Sequence, residues 1–196
     1  MISERELKGV NSSFRAFSLN LKLRSYKKRL DQLDIDLTQT TILDAGCGRG
    51  FSTALILGLF RPKKVYAFDF LPQQVELAKE MKIPAEFFVG SIIDIKLAAD
   101  ICDFAFVFNV LHHVPEWFKG IQEIRRILKP KGYVIFEEPT KQYTTFTDRL
   151  ARNKHPEEGK FTREELFQQL NANGFTLIHD MSTMFGLYLA LLCRKE

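Results

Sequence analysis

The run Ile42-Leu43-Asp44-Ala45-Gly46-Cys47-Gly48-Arg49-Gly50 sets an acid and three alternate glycines where an apolar strand turns into a helix. Glycine admits backbone angles that a side chain forbids, and it lets main-chain N–H groups come close to a ligand. The start of the helix adds an attraction for anions of about 0.3–1 kcal/mol. Spacing then selects among ligands. A dinucleotide fingerprint places its third glycine at the position held here by Phe51, whereas the third glycine of this run is Gly50. Asp44, two residues before the first glycine, would repel a pyrophosphate and suits a cationic or amino-bearing ligand. A Gly-rich turn that binds nothing is the alternative.

Length and composition frame this motif. A chain of 196 residues with 45% hydrophobic content supports one domain with a full core. Its net charge of +4 permits an acidic partner but lacks the concentration expected of an obligate nucleic-acid binder. Cys47, Cys102 and Cys193 are far apart and form no Cys-x-x-Cys pair. They suggest a reduced, cytoplasmic setting and no metal site. No N-terminal basic-then-apolar signal is present, and the late apolar run Leu187 to Cys193 is too short to cross a bilayer.

From Ser3 to Leu37 the pattern is helical. Phe14, Phe17 and Leu21, then Leu23, Tyr26, Leu30 and Leu33, recur at three- and four-residue steps between Arg15, Lys22, Arg24, Lys27, Lys28 and Arg29. The simplest outcome is one packed face and one solvated basic face. A lid over a substrate pocket, or an arm that meets anionic lipid or RNA, is the sharper alternative. Residues 1–37 thus read as a helical N-terminal cap.

After Thr38 short apolar strands alternate with amphipathic helices, the signature of a parallel sheet covered on both faces. Strands are expected at 40–45, 64–69, 85–89, 102–108 and 132–137, and helices at 50–60, 72–82, 115–128 and 163–173. In the helix beginning near Pro115, Trp117, Ile121, Ile124 and Leu128 make one stripe, and Lys129-Pro130-Lys131-Gly132 ends it. Thr162 and Glu165 have the spacing of a capping box. Apolar stretches 175–180 and 187–193 are joined by too few residues for a crossover, so they pair antiparallel. The expected fold is α/β, with a Rossmann-like, seven-stranded, mostly parallel sheet, a reversed last strand and helices on both faces.

Asp69 ends the second strand, 19 positions after Gly50. In a doubly wound sheet such a carboxylate reaches a ribose diol, through hydrogen bonds worth about 1.5–3 kcal/mol each. The fourth strand runs into Asn109-Val110-Leu111-His112-His113-Val114, placing polar groups at the sheet's carboxyl edge. His112 and His113 are candidate general bases for a substrate hydroxyl. One packing and the other bonding a carbonyl is the plainer alternative.

The pattern Asp-x-Gly-x-Gly-x-Gly resembles the first motif of the class I S-adenosylmethionine-dependent methyltransferases, whose cofactor carries a sulfonium, an α-amino group and no phosphate. The layout expected over 38–196, seven strands with the last one reversed, is similar to theirs, and the Leu-His-His-Val stretch looks like that of the type 11, quinone- and small-molecule-methylating kind. The resemblance implies that Asp44, Gly46, Cys47, Gly48, Gly50, Asp69 and Phe70 contact the cofactor. It also implies that Asn109 and Val110 flank its methionine part. Where such proteins commonly carry an acid near the adenine amino group this chain has Ser91, followed by Ile92, with Asp94 three residues on. The Ser91 hydroxyl and the Ile92 backbone are the candidates there, and Asp94 reads equally well as a turn residue.

The reading is methyl transfer from S-adenosylmethionine to a small, apolar or aromatic acceptor. No Asp/Asn-Pro-Pro-aromatic run follows the fourth strand and no cysteine sits beside a proline, which disfavours amino-group methylation of adenine or glutamine and ring methylation of cytosine. Acceptor selection is expected of the N-terminal helices and of a loop at 137–161 carrying Glu137, Glu138, Tyr143, Phe146, Arg149, Arg152 and His155. The rivals are an RNA methyltransferase using the basic N-terminal face, a noncatalytic cofactor-binding module and an NAD-dependent oxidoreductase.

Overall fold

Near-continuous apolar runs mark strands covered on both faces, and the first two such runs become β1 (Thr41–Ala45) and β2 (Lys64–Asp69). Ile42, Leu43, Ala45 and Val65 to Phe68 are all buried. The computed structural model describes residues 13–151 and 155–196. Among the described residues there are seven strands, and the chain divides into two units at Gly90/Ser91.

In the first unit, β1 and β2 pair in parallel from Thr41↔Lys64 to Ala45↔Phe68. β3 (Glu86–Val89) continues the ladder, ending at Asp69↔Val89. The crossovers are α2 (Phe51–Phe60) and α3 (Pro72–Glu80). Ahead of them lies α1 (Ser13–Gln32), which packs against α2. The helix expected over 3–37 is described from residue 13 and ends at Gln32, short of the expected bound, and its earlier part lies outside the described residues. Its apolar positions divide. Leu23, Tyr26 and Leu30 are buried, whereas Phe17, Leu21 and Leu33 are exposed. At 3.6 residues per turn, Leu21 and Leu23 point about 200° apart, so the single stripe expected from the sequence is two.

In the second unit, β4 (Cys102–Phe108) and β5 (Leu128–Pro139) are parallel. β7 (Tyr188–Lys195) is antiparallel both to β5 and to β6 (Phe175–Asp180), so the last strand is the reversed one. The helix expected over 115–128 is α4 (Trp117–Ile127), buried through Trp117, Ile121, Ile124 and Ile127. Leu128 leaves the helix to pair with Cys102, and a register shift between Cys102 and Phe104 takes up the residues that follow. Gly132 is needed in that irregularity, because a Cβ there would lie 2.9 Å from the Lys129 carbonyl oxygen and 3.1 Å from that of Asp103.

Residues 137–161 are not the plain loop expected. β5 continues to Pro139, and Lys141–Ala151 forms α5. Its threonines hid it, since β-branched residues with competing hydroxyls disfavour helix interiors. Here Thr144 and Thr147 donate back to the carbonyls of Thr140 and Tyr143, each at 3.1 Å. Among the described residues no helix is long and apolar enough to cross a membrane.

The final helix, α6 (Arg163–Ala172), starts on the expected capping box. The Glu165 N–H donates to Thr162 Oγ1 at 3.1 Å, and the Thr162 N–H donates to Glu165 Oε2 at 2.7 Å. Thr162→Ala is expected to lower unfolding stability by about 1 kcal/mol, read as a fall in the urea midpoint at constant slope. An unmoved midpoint would show that the cap contributes nothing.

Candidate functional site

In the first unit the site is built from the ends of β1 and β2. Gly46, Gly48 and Gly50 all hold positive φ, at 74°, 53° and 87°. The N–H groups of Gly46 and Cys47 donate to the Phe68 carbonyl at 2.9 Å, which sets the turn on the neighbouring strand. At Gly50 a Cβ would come within 3.2 Å of the Ala78 Cβ on α3 and 3.0 Å of Met81 Sδ, so the helix can approach only a glycine there.

Asp69 holds this loop in shape. Its Oδ2 accepts from the Gly48 N–H and its Oδ1 from the Leu71 N–H, both at 2.9 Å. Burial raises its pKa, and these backbone donors oppose the rise. Phe70, next in the chain, leaves its ring 70% exposed.

Asp44 is almost wholly buried at the end of β1. Its Oδ2 accepts from Ser52 Oγ and Thr53 Oγ1 at the start of α2, each at 2.6 Å. Its Oδ1 is buried without a hydrogen-bond partner. Burial pushes the carboxyl up to about 6, against the two hydroxyl bonds. The Cys47 thiol is buried and held protonated by burial and by the charges of Asp44 and Asp69, so only its backbone can serve a ligand.

In the second unit, Ser91 and Asp94 close a short turn. The Asp94 N–H donates to the Ser91 carbonyl at 3.1 Å, and the Ile93 N–H reaches Ser91 Oγ at 3.4 Å. Asp94 pairs with Lys96 on the exposed side, which is the turn reading of that residue, and Ile92 is buried. The turn continues into a segment held from α4. Glu123 Oε2 accepts the Ile95 N–H at 2.8 Å, and Arg126 donates to the carbonyls of Leu97 and Ile95, each at 2.8 Å. Neither clamp was legible as such, because both partners lie far along the chain.

The segment after β4 is organised by two acids the sequence had assigned to an acceptor-selecting loop. Glu137 and Glu138 instead sit at the buried end of β5, 1% and 0% exposed. One oxygen of Glu138 accepts from the N–H groups of both Val110 and Leu111 at 2.8 Å. The other accepts from the His112 N–H at 3.5 Å and meets His112 Nδ1 at 2.7 Å. Burial raises the Glu138 pKa to about 7 while the backbone donors pull it down. Asn109 sits at φ 59°. Its N–H donates to the Glu137 carbonyl at 2.8 Å, and the Tyr188 hydroxyl donates to Asn109 Oδ1 and, at 3.2 Å, to Glu137 Oε1. The signal that could have found this arrangement is a pair of adjacent acids closing an otherwise apolar strand.

His112 is buried in the short turn Leu111–His113, and His113 is partly exposed. His155 joins them with its Nδ1 2.5 Å from Asp148 Oδ1. The sequence placed His155 in the acceptor-selecting loop without linking it to the other two.

Comparison with known proteins bears on both units. Residues 43–136 match the family described as a methyltransferase domain. This stretch, close to half of the chain, therefore carries a methyltransferase domain. A demethylmenaquinone methyltransferase of Lactococcus lactis is 32% identical over 106 residues, covering 51% of this chain and 42% of that protein. A 37.1 kDa transposon protein of Streptomyces fradiae is 31% identical over 150 residues, 66% of this chain and 43% of that protein. The chain therefore spans less than half the length of these two relatives. In fold it is similar to a SAM-dependent methyltransferase from Aquifex aeolicus, with a TM-score of 0.75, 20% identity and full coverage of both chains. The methyltransferase-domain match includes the glycine loop and stands against the dinucleotide reading already weakened by the position of Gly50.

Removing the Glu138 carboxylate leaves the buried N–H groups of Val110 and Leu111 without an acceptor. A lone buried polar group costs about 1–3 kcal/mol. Glu138→Ala is expected to lower the melting temperature by more than Glu138→Gln, which keeps one acceptor oxygen. Equal melting of both variants and the parent would show that Glu138 does not hold the turn.

Proposed function

We propose that this chain transfers the methyl group of S-adenosylmethionine to a small, apolar or aromatic acceptor. The observation that carries the reading is Asp44, whose buried Oδ1 has no hydrogen-bond partner at the end of the strand that runs into the glycine loop. A cofactor with positive charge and no phosphate fits that chemistry, and a dinucleotide does not.

In this reading the backbone of Gly46, Cys47, Gly48 and Gly50 lies against the cofactor, and Asp44 offers it negative charge. Asp69 accepts from backbone N–H groups on both carboxylate oxygens, and a carboxylate's roughly four acceptor sites leave room for a ribose hydroxyl. The exposed Phe70 ring supplies an apolar surface to the adenosine part. Ser91 and Ile92 take the adenine-side contacts and Asn109 and Val110 the methionine-side contacts, following the family pattern. When bound, the cofactor supplies an electrophilic methyl on sulfur. Alignment of the acceptor provides most of the rate. His112 or His113 receives the acceptor's proton, and the Glu138 carboxylate at His112 Nδ1 orients that ring. The demethylmenaquinone methyltransferase among the relatives supports an apolar, ring-bearing acceptor.

Binding of S-adenosylmethionine by calorimetry tests the cofactor assignment. Asp69→Ala is expected to weaken it at least tenfold without unfolding the chain, since two hydrogen bonds to a charged group are worth about 1.5–3 kcal/mol each. Unchanged affinity would remove the ribose role.

The pH dependence tests Asp44 separately. A cationic ligand favours the ionised carboxylate, and the free protein holds that carboxyl near a pKa of about 6. Affinity should therefore be pH-independent above that value and fall as pH drops through it, by up to about tenfold per unit. Asp44→Asn should bind weakly and flatten the profile. A parent profile that is flat from pH 5 to 8 would sink the role of Asp44.

A further inference from the structure

Three histidines converge in the second unit around a point that none of the cofactor contacts uses. The ring centroids of His112 and His113 are 4.0 Å apart, those of His112 and His155 5.1 Å, and those of His113 and His155 5.0 Å. One ring nitrogen from each lies within 4.8 Å of the others. Zinc–nitrogen bonds of about 2.0–2.1 Å place ligand nitrogens about 3.3 Å apart in a tetrahedron. Metal binding would have to draw the nitrogens together by up to about 1.5 Å.

The surroundings suit metal binding as well as the spacing does. Two of the three imidazoles have a carboxylate behind them, Glu138 at 2.7 Å from His112 Nδ1 and Asp148 at 2.5 Å from His155 Nδ1. An acid in that position fixes the tautomer, turns Nε2 toward the ion and makes the ring a better donor. Both acids are themselves held, Glu138 by backbone N–H groups and Asp148 by Lys160 Nζ at 2.9 Å. The turn Glu157–Gly159 locks His155's segment onto the His112 turn, since a Cβ at Gly159 would lie 2.7 Å from the His112 carbonyl oxygen. Three nitrogen donors with no thiolate match zinc-class ions, and three protein ligands rather than four leave a coordination position open.

We propose that His112, His113 and His155 bind a divalent ion of the zinc class, whose fourth position takes a water or a hydroxyl oxygen of the acceptor. The metal site stands on its own geometry, and its catalytic meaning rests on the methyl-transfer reading. In the loaded chain His112 and His113 are ligands and not bases. A hydroxyl at the open position then releases its proton to water more readily than a free hydroxyl does, leaving the oxygen as the acceptor.

The test uses the whole chain, stripped with a chelator and dialysed against Zn(II) or Co(II). We expect one equivalent of metal per chain and the intense visible absorption of four-coordinate Co(II). His113→Ala and His155→Ala should lose that equivalent, and Asp148→Asn should weaken binding about 10- to 100-fold. His179→Ala, which removes the fourth of the chain's 4 histidines, should retain it. Well under one equivalent in the parent, or the same loss in His179→Ala as in the cluster variants, overturns the proposal. Melting temperature shows that each variant is folded, and Asp148→Asn, which keeps all three ligands, reads the site without truncating it. Calorimetry with S-adenosylhomocysteine on the same samples separates the two readings. Cofactor binding without metal removes the metal site alone, whereas metal without cofactor binding supports the site and removes the methyl-transfer reading.

Discussion

A buried carboxylate at the end of a strand, satisfied by the backbone of the adjacent loop, is the constraint on which each unit depends. Glu138 is wholly buried, and burying a charge is costly unless hydrogen bonds replace its water. Val110, Leu111 and His112 supply those bonds, so the acid and the turn cannot be in place without each other. Asp69, half-buried, repeats the solution in the first unit with the N–H groups of Gly48 and Leu71. Both carboxylates carry pKa values raised by burial and restrained by their donors. The loops are thereby fixed by acids as well as by the burial of Leu111 and Cys47.

The strands were legible from the sequence because parallel strands buried on both faces leave a near-continuous apolar record. β1, β2 and β4 begin and end within a residue of where that record does. Helix ends were harder to place. Leu128 fits the stripe of α4 in the sequence, yet its backbone pairs with Cys102, a choice made by the tertiary partner and not by periodicity. α5 was missed because Thr144 and Thr147 lower its helix propensity, and their hydroxyls find compensating acceptors only once the helix exists.

Of the candidate site, the part carried by local spacing was legible and the part carried by distant contacts was not. The glycines and Asp69 have a recognisable interval. The partnership of Glu138 with residues 110–112 spans 26 to 28 positions, and that of Glu123 with Ile95 spans 28. Nothing in composition marks such pairs. His155 shows the same limit, because only folding brings it beside His112 and His113.

Gly159 illustrates how tightly such a contact can bind two parts of a chain. With the carbonyl oxygens of His112 and Val114 at 2.7 Å and 3.1 Å from where its Cβ would stand, the turn and the histidine segment mesh like a key in a ward. Neither can be lengthened, shortened or re-aimed alone. Any redesign of residues 155–159 would therefore have to take in the segment after β4 at the same time, as one mechanical part.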